Sequence, residues 1–99
     1  MDEAAGSSTV AIAAASTVIM ANRSGRRIAF SISNYGAATV FLTMSNTQLA
    51  AANSGIALYP GMTISDSSSD IYKCFQGTVS GYEAGGAGTL SVWERVNMD

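Results

Sequence analysis

The sequence has no histidine, one cysteine, one proline and 12% charged residues in a chain of 99. Without histidine, the usual general base, metal ligand and triad partner are all missing. The set of nucleophile, base and orienting group that catalysis requires has no obvious source, so the expectation is that the chain is not an enzyme and carries no cofactor. The lone Cys74 excludes an intramolecular disulfide framework and suits folding in a reducing cytoplasm. With no histidine to activate it, its thiol reads as a small buried hydrophobe rather than a nucleophile.

Long apolar runs are absent too. No stretch approaches the roughly 20 residues needed to span a bilayer. The alanine-rich start carries Asp2 and Glu3 where a secretory signal has positive charge, so the expectation is a cytoplasmically made protein with no membrane contact. A net charge of -2 and a pI near 4.8 argue against binding nucleic acid by phosphate neutralisation.

A single domain of this size buries only about two-thirds of the surface of its unfolded chain, which leaves room for partners to add stability. Its charged share is about half the usual quarter, and the exterior must be covered by Ser, Thr, Asn, Gly and Ala. Such a surface has little side-chain entropy to lose and few charges to desolvate on contact. It suits a protein packed against neighbours, and equally an ordinary soluble domain with a Ser/Thr-rich exterior.

Apolar alternation of period two recurs along the chain. "RIAFSISN" sets Ile28, Phe30 and Ile32 on one face, and "ATVFLTM" sets Val40, Leu42 and Met44 on one face. With Asn34 and Gly36 between them, the two runs read as a hairpin. Residues 45 to 55 read as a long loop. "IALYPGMTI" alternates around Pro60-Gly61, whose chemistry is that of a type II turn. "SDSSSD" reads as a loop, "IYKCFQG" and "TVSGY" as weakly alternating runs, "GYEAGGAG" as a flexible hairpin loop, and "GTLSVWERV" as a strand with Leu90, Val92 and Val96 opposite Trp93.

In "STVAIAA" and "STVIMA" the β-branched Thr9, Val10, Thr17, Val18 and Ile19 favour a strand or extended arm over a helix. The fold class expected is all-β: one antiparallel β-sandwich or barrel, jelly-roll-like, with an extended N-terminal arm. Residues 1–22 would be the arm or first strand and residues 23–99 the sandwich.

Few groups suggest chemistry. Glu83 and Glu94 are the carboxylates that could act on a sugar, but nothing brings them together. Asp66 and Asp70 offer oxygen ligands to a calcium ion, without the spacing of a dedicated loop, and Asp and Ser dominate ordinary turns. The densest charge is "NRSGRR", where Arg23, Arg26 and Arg27 either form a solvated turn or grip the carboxylates of a partner. Trp93, Phe41 and Tyr59 fall opposite the small aliphatics, available to a subunit interface or a sugar. Candidate partner-binding residues are therefore Arg23, Arg26, Arg27, Tyr59 and Trp93.

The order of features from Arg23 to Glu94 resembles a small all-β domain of tailed-bacteriophage structural proteins. The matching pieces are "RRIAFSISN", "TVFLTM", "IALYPGM" and "FQGTVSGYEAGGAGTLSVWE"; "SDSSSDIYKCF" departs from the commoner pattern. The resemblance implies a virion structural protein with no catalytic residues: a decoration, or cement, protein that binds the major capsid protein as a homotrimer and stabilises the head. The alternative is a tail- or fibre-associated module that binds a host glycan through Tyr59, Tyr82 or Trp93. In either case the location is the virion, assembled in the host cytoplasm.

Overall fold

A computed structural model describes residues 3–86 and 88–97. They form eight strands and no helix: β1 (Glu3–Ile12), β2 (Thr17–Met20), β3 (Arg27–Ser33), β4 (Val40–Met44), β5 (Ile56–Leu58), β6 (Thr63–Ser67), β7 (Val79–Tyr82) and β8 (Gly88–Asn97). Two four-stranded antiparallel sheets result, in the orders β1-β8-β3-β6 and β2-β7-β4-β5. The pairs β1 with β8, β2 with β7, β3 with β6 and β4 with β5 nest one inside the next. The chain is thus one long antiparallel ribbon, bent at the β4–β5 loop and rolled so that alternate pairs fall in opposite sheets. That is jelly-roll wiring, and the sheets do not close into a barrel.

The core lies between the sheets. Ile12, Phe30, Ile32, Leu90 and Val92 come from one, Ile19, Met20, Val40, Leu42, Leu58 and Val79 from the other, and Cys74 from a loop. Period-two alternation explains most of this list, since each strand has one face on the partner sheet and one on solvent.

Several expectations are corrected. β3 and β4 do not form a hairpin, because they belong to different sheets; every connection except β4–β5 passes from one sheet to the other. The "GYEAGGAG" loop is likewise a crossover. "IYKCFQG" is irregular rather than a strand, and β6 extends through Ser67 into the stretch expected as a loop.

The boundary expected at residues 22 and 23 falls inside the sandwich. β1 pairs with β8 in unbroken register from Glu3 to Ile12, β2 belongs to the other sheet, and Ile12, Ile19 and Met20 are core residues. Of the two expectations for this segment, arm or first strand, the structure has the strand; its first two residues, Met1 and Asp2, lie outside the described residues.

A register shift between Arg27 and Ala29 on β3, opposite Val96 and Arg95, has the largest consequence. This bulge breaks the alternation. Arg27 turns inward beside Phe30 and Ile32 and is 1% exposed, while Ile28, expected in the core, is only half-buried.

Strand directions place the loops after β1, β3, β5 and β7 at one end of the sandwich and those after β2, β4 and β6 at the other. The Pro60-Gly61 turn marks the first end. It is the expected type II turn: the Met62 amide donates to the Tyr59 carbonyl at 3.0 Å, and Gly61 has φ 86°. Asn34 anchors it. The Gly61 amide donates to the Asn34 carbonyl at 2.7 Å and the Asn34 amide to the Met62 carbonyl at 2.9 Å. The buried Asn34 side chain donates from Nδ2 to the Ala38 and Leu58 carbonyls, both at 2.8 Å, and accepts the Gly36 amide at 3.0 Å. Expected as a hairpin turn residue, Asn34 is a clamp between crossing segments.

Candidate functional site

The other end of the sandwich gathers charge. Arg23 and Arg26 flank a turn closed by an Arg26 amide to Arg23 carbonyl bond of 3.1 Å, with both central residues at positive φ, Ser24 at 54° and Gly25 at 90°. That is the pattern of a type I′ turn. Arg27 begins β3, Lys73 lies in the β6–β7 loop and Arg95 near the end of β8. All five cationic residues of the chain thus sit toward this end, together with Asp66, Asp70 and Glu94, a gathering of charge set by strand direction rather than by sequence neighbourhood.

Three charged side chains form a cluster. Glu94 follows Leu90 and Val92 on the inner face of β8, and its carboxylate faces two arginines. Arg27 Nε donates to Glu94 Oε2 at 2.7 Å. Arg23 donates as a fork, Nη2 to Oε1 at 2.7 Å and Nε to Oε2 at 3.0 Å. Burial pushes the Glu94 carboxyl up, but the hydrogen bonds and charges of Arg23 and Arg27 outweigh it and hold the group below its ordinary value of 4.5. The bond to Glu94 raises the Arg23 guanidinium in turn, against the opposing effect of burial.

Each nitrogen of the Arg27 guanidinium has an acceptor. Its Nη1 donates to the Phe75 and Gly77 carbonyls at 2.8 and 3.0 Å, and its Nη2 to the Ala21 carbonyl at 2.7 Å. The guanidinium carbon stands 5.9 Å from the centroid of the Phe30 ring. Gln76 completes the knot as a backbone mimic: its Oε1 accepts the Arg27 amide at 2.6 Å, and its Nε2 donates to the Arg27 carbonyl at 2.8 Å. The irregular 74–77 segment is therefore stitched to β3 by side chains instead of a strand ladder. Cys74, 1% exposed, is the residue of this segment that joins the core.

The candidate residues separate on this geometry. Arg27 is enclosed and not available to a partner. Arg23 is committed to Glu94, with 37% of its side chain exposed. Arg26 is exposed, with Nε 3.4 Å from the Arg23 carbonyl, and Lys73 lies exposed beside it, with Nζ 3.4 Å from the Gly25 carbonyl. Ile71, 98% exposed, belongs to the same loop as Lys73, and Leu49, 78% exposed, to the β4–β5 loop at this end.

Comparison with family models, with curated proteins and with solved structures finds no match.

The nominated aromatics do not converge. Tyr59 is exposed at the Pro-Gly end, Trp93 is half-buried on the outer face of the β1-β8-β3-β6 sheet, and Tyr82 pairs with Phe41 on the other sheet. Glu83 lies at the Pro-Gly end and Glu94 toward the opposite one, about 20 Å along β8 at the usual rise of a strand. Asp66 is engaged locally: it accepts the Ser67 amide at 3.0 Å and the Tyr72 hydroxyl. No group of three or more His, Cys, Asp or Glu side chains is placed to hold a metal among the described residues.

Sequence reasoning missed the partnership of Glu94 with the arginines and the role of Gln76. The first left a trace: period two from Leu90 and Val92 puts Glu94 on an apolar face, where a carboxylate needs a cation. Gln76 left none, because its function depends on where an irregular loop passes β3.

Proposed function

We propose that the chain is a structural protein of a tailed-bacteriophage virion, a decoration protein that binds the outer surface of the head lattice and stabilises it. The observation that carries this reading is the gathering of the cationic residues at one end of a sparsely charged sandwich, with exposed Arg26 and Lys73 beside exposed Ile71. Such an end, which also carries Asp66 and exposed Asp70, fits a partly apolar protein surface of mixed charge whose carboxylates meet Arg26 and Lys73. The sequence resemblance supplies the class of partner, the major capsid protein, and the jelly-roll wiring is one that viral capsid domains use, although fold alone assigns no function.

The mechanism is lattice clamping. Each copy makes a modest contact that binds the assembled lattice and not its disassembled form, so binding stabilises the particle by mass action. A Ser/Thr-rich exterior loses little side-chain entropy in the contact. The glycan-binding alternative is disfavoured by the scatter of Tyr59, Tyr82 and Trp93 over three surfaces.

Purified protein added to expanded, undecorated capsids should bind saturably and raise their heat resistance. Arg26→Glu with Lys73→Glu should weaken attachment at least tenfold at low salt, with the difference shrinking as salt rises. Absence of binding by the unaltered protein removes the decoration reading; unchanged binding by the variant removes the docking end.

A further inference from the structure

The four edge strands of the sandwich are not treated alike. β5 has three residues and runs into Tyr59-Pro60. β2 has four residues, with a register break between Val18 and Met20. β6 has five and carries Asp66, with the Tyr72 hydroxyl folded back onto it. Shortness, bulges, a following proline and a mid-strand charge are the devices by which soluble sheets prevent edge-to-edge association.

β1 has none of them. It has ten residues, "EAAGSSTVAI", with no proline, no lysine or arginine and no register break. Its outer side has no partner strand among the described residues. Gly6, Ser7, Ser8 and Thr9 are exposed, and their side chains are too short to block an approaching backbone. Among the described residues β1 is thus a ten-residue edge open to a covering strand, while the other three edges are guarded.

We infer that the cover is a second copy of this chain, with β1 pairing antiparallel to its own symmetry mate about a two-fold axis. An antiparallel edge is self-complementary under such an axis. The two four-stranded sheets would then run on as one, with the two β1 strands at its centre. Charge decides the direction. The only charged residue of β1 is its first, Glu3. Antiparallel pairing places the two Glu3 residues at opposite ends of the seam, about 30 Å apart at the usual rise per residue, whereas parallel pairing would set them side by side. The inference does not rest on the virion reading: it concerns a different surface, and a chain that binds no capsid can still dimerise.

Light scattering on the full-length protein at micromolar concentration should give twice the chain mass of 10.2 kDa. Ser7→Lys with Thr9→Lys, both at exposed positions near the axis, should raise the dimer dissociation constant at least tenfold while leaving the circular dichroism spectrum unchanged. As an independent check on unaltered strand chemistry, Ser7→Cys should cross-link covalently to a dimer under mild oxidation, and Ser65→Cys, on the guarded edge β6, should not. A monomeric mass, or the threefold mass of the homotrimer that the resemblance implies, overturns the inference. So does a dimer that ignores the lysines, or one that cross-links as readily through residue 65 as through residue 7.

Discussion

Replacing Glu94 by glutamine keeps the size of the side chain and removes the carboxylate bonded to Arg27. The Arg27 side chain is 0% exposed and that of Glu94 13%, so the variant leaves a buried guanidinium facing a neutral amide. Breaking a buried pair from one side costs about 3–5 kcal/mol. The lower figure applies here, because three backbone carbonyls still accept from Arg27. A loss of about 3 kcal/mol is a large part of the roughly 5–15 kcal/mol that holds a small domain together. It should lower Tm by roughly 12–24 °C and the urea midpoint by about 1–3 M. Arg23 offers the internal comparison. Its side chain is 37% exposed, so solvent screens its pair with Glu94, and Arg23→Ala should cost only about 0.5–1 kcal/mol. Urea unfolding followed by circular dichroism measures all three proteins. If Glu94→Gln costs less than about 1 kcal/mol, or no more than Arg23→Ala, the idea that Arg27 depends on Glu94 is wrong.

The same cluster sets a pH dependence. The folded-state pKa of Glu94 lies below its unfolded value of 4.5, so its contribution is fully present above that value and is lost as pH falls through the folded pKa. Below that window the stability difference between the native chain and Glu94→Gln should shrink toward zero. A difference that stays constant down to pH 2 would show that the carboxylate charge contributes nothing.

Three further substitutions test the scaffold. Asn34→Ala removes the side-chain partner of the Ala38 and Leu58 carbonyls and of the Gly36 amide while the backbone bonds to the Pro-Gly turn remain, a cost of about 2–3 kcal/mol in urea unfolding; a loss under about 0.5 kcal/mol would deny the clamp. Gly55 has φ 76°, and an added Cβ would stand 2.1 Å from the Leu42 carbonyl oxygen, so Gly55→Ala should cost more than about 2 kcal/mol; a neutral result would mean that the β4–β5 loop is built differently. Ser24→Asn puts the preferred Asn-Gly pair into the type I′ turn and should stabilise by a few tenths to about 1 kcal/mol; destabilisation would count against the turn assignment.

Most strands were legible because alternation is local. Val40, Leu42 and Met44, or Leu90 and Val92, mark one face of a strand whatever that strand pairs with, and Pro60-Gly61 specifies a type II turn through its own φ preferences. The arginine cluster was only half legible. Three arginines around a Ser-Gly turn announce themselves, but the inward turn of Arg27 comes from a bulge that arises in the pairing of β3 with β8. No local propensity encodes that pairing.

By itself the sequence determined an all-β chain without histidine chemistry, its main apolar faces and its one proline turn. The tertiary structure decided which sheet each strand joins, and so turned an expected hairpin into a crossover and made the first segment an edge strand rather than an arm. It also decided that Glu94 meets Arg23 and Arg27 across about 70 residues of chain, because a rolled ribbon brings its distant halves side by side. The physical reason is range. Backbone propensity and alternation act over two to four residues, whereas the partner of a buried charge is fixed only when the sheets close on each other.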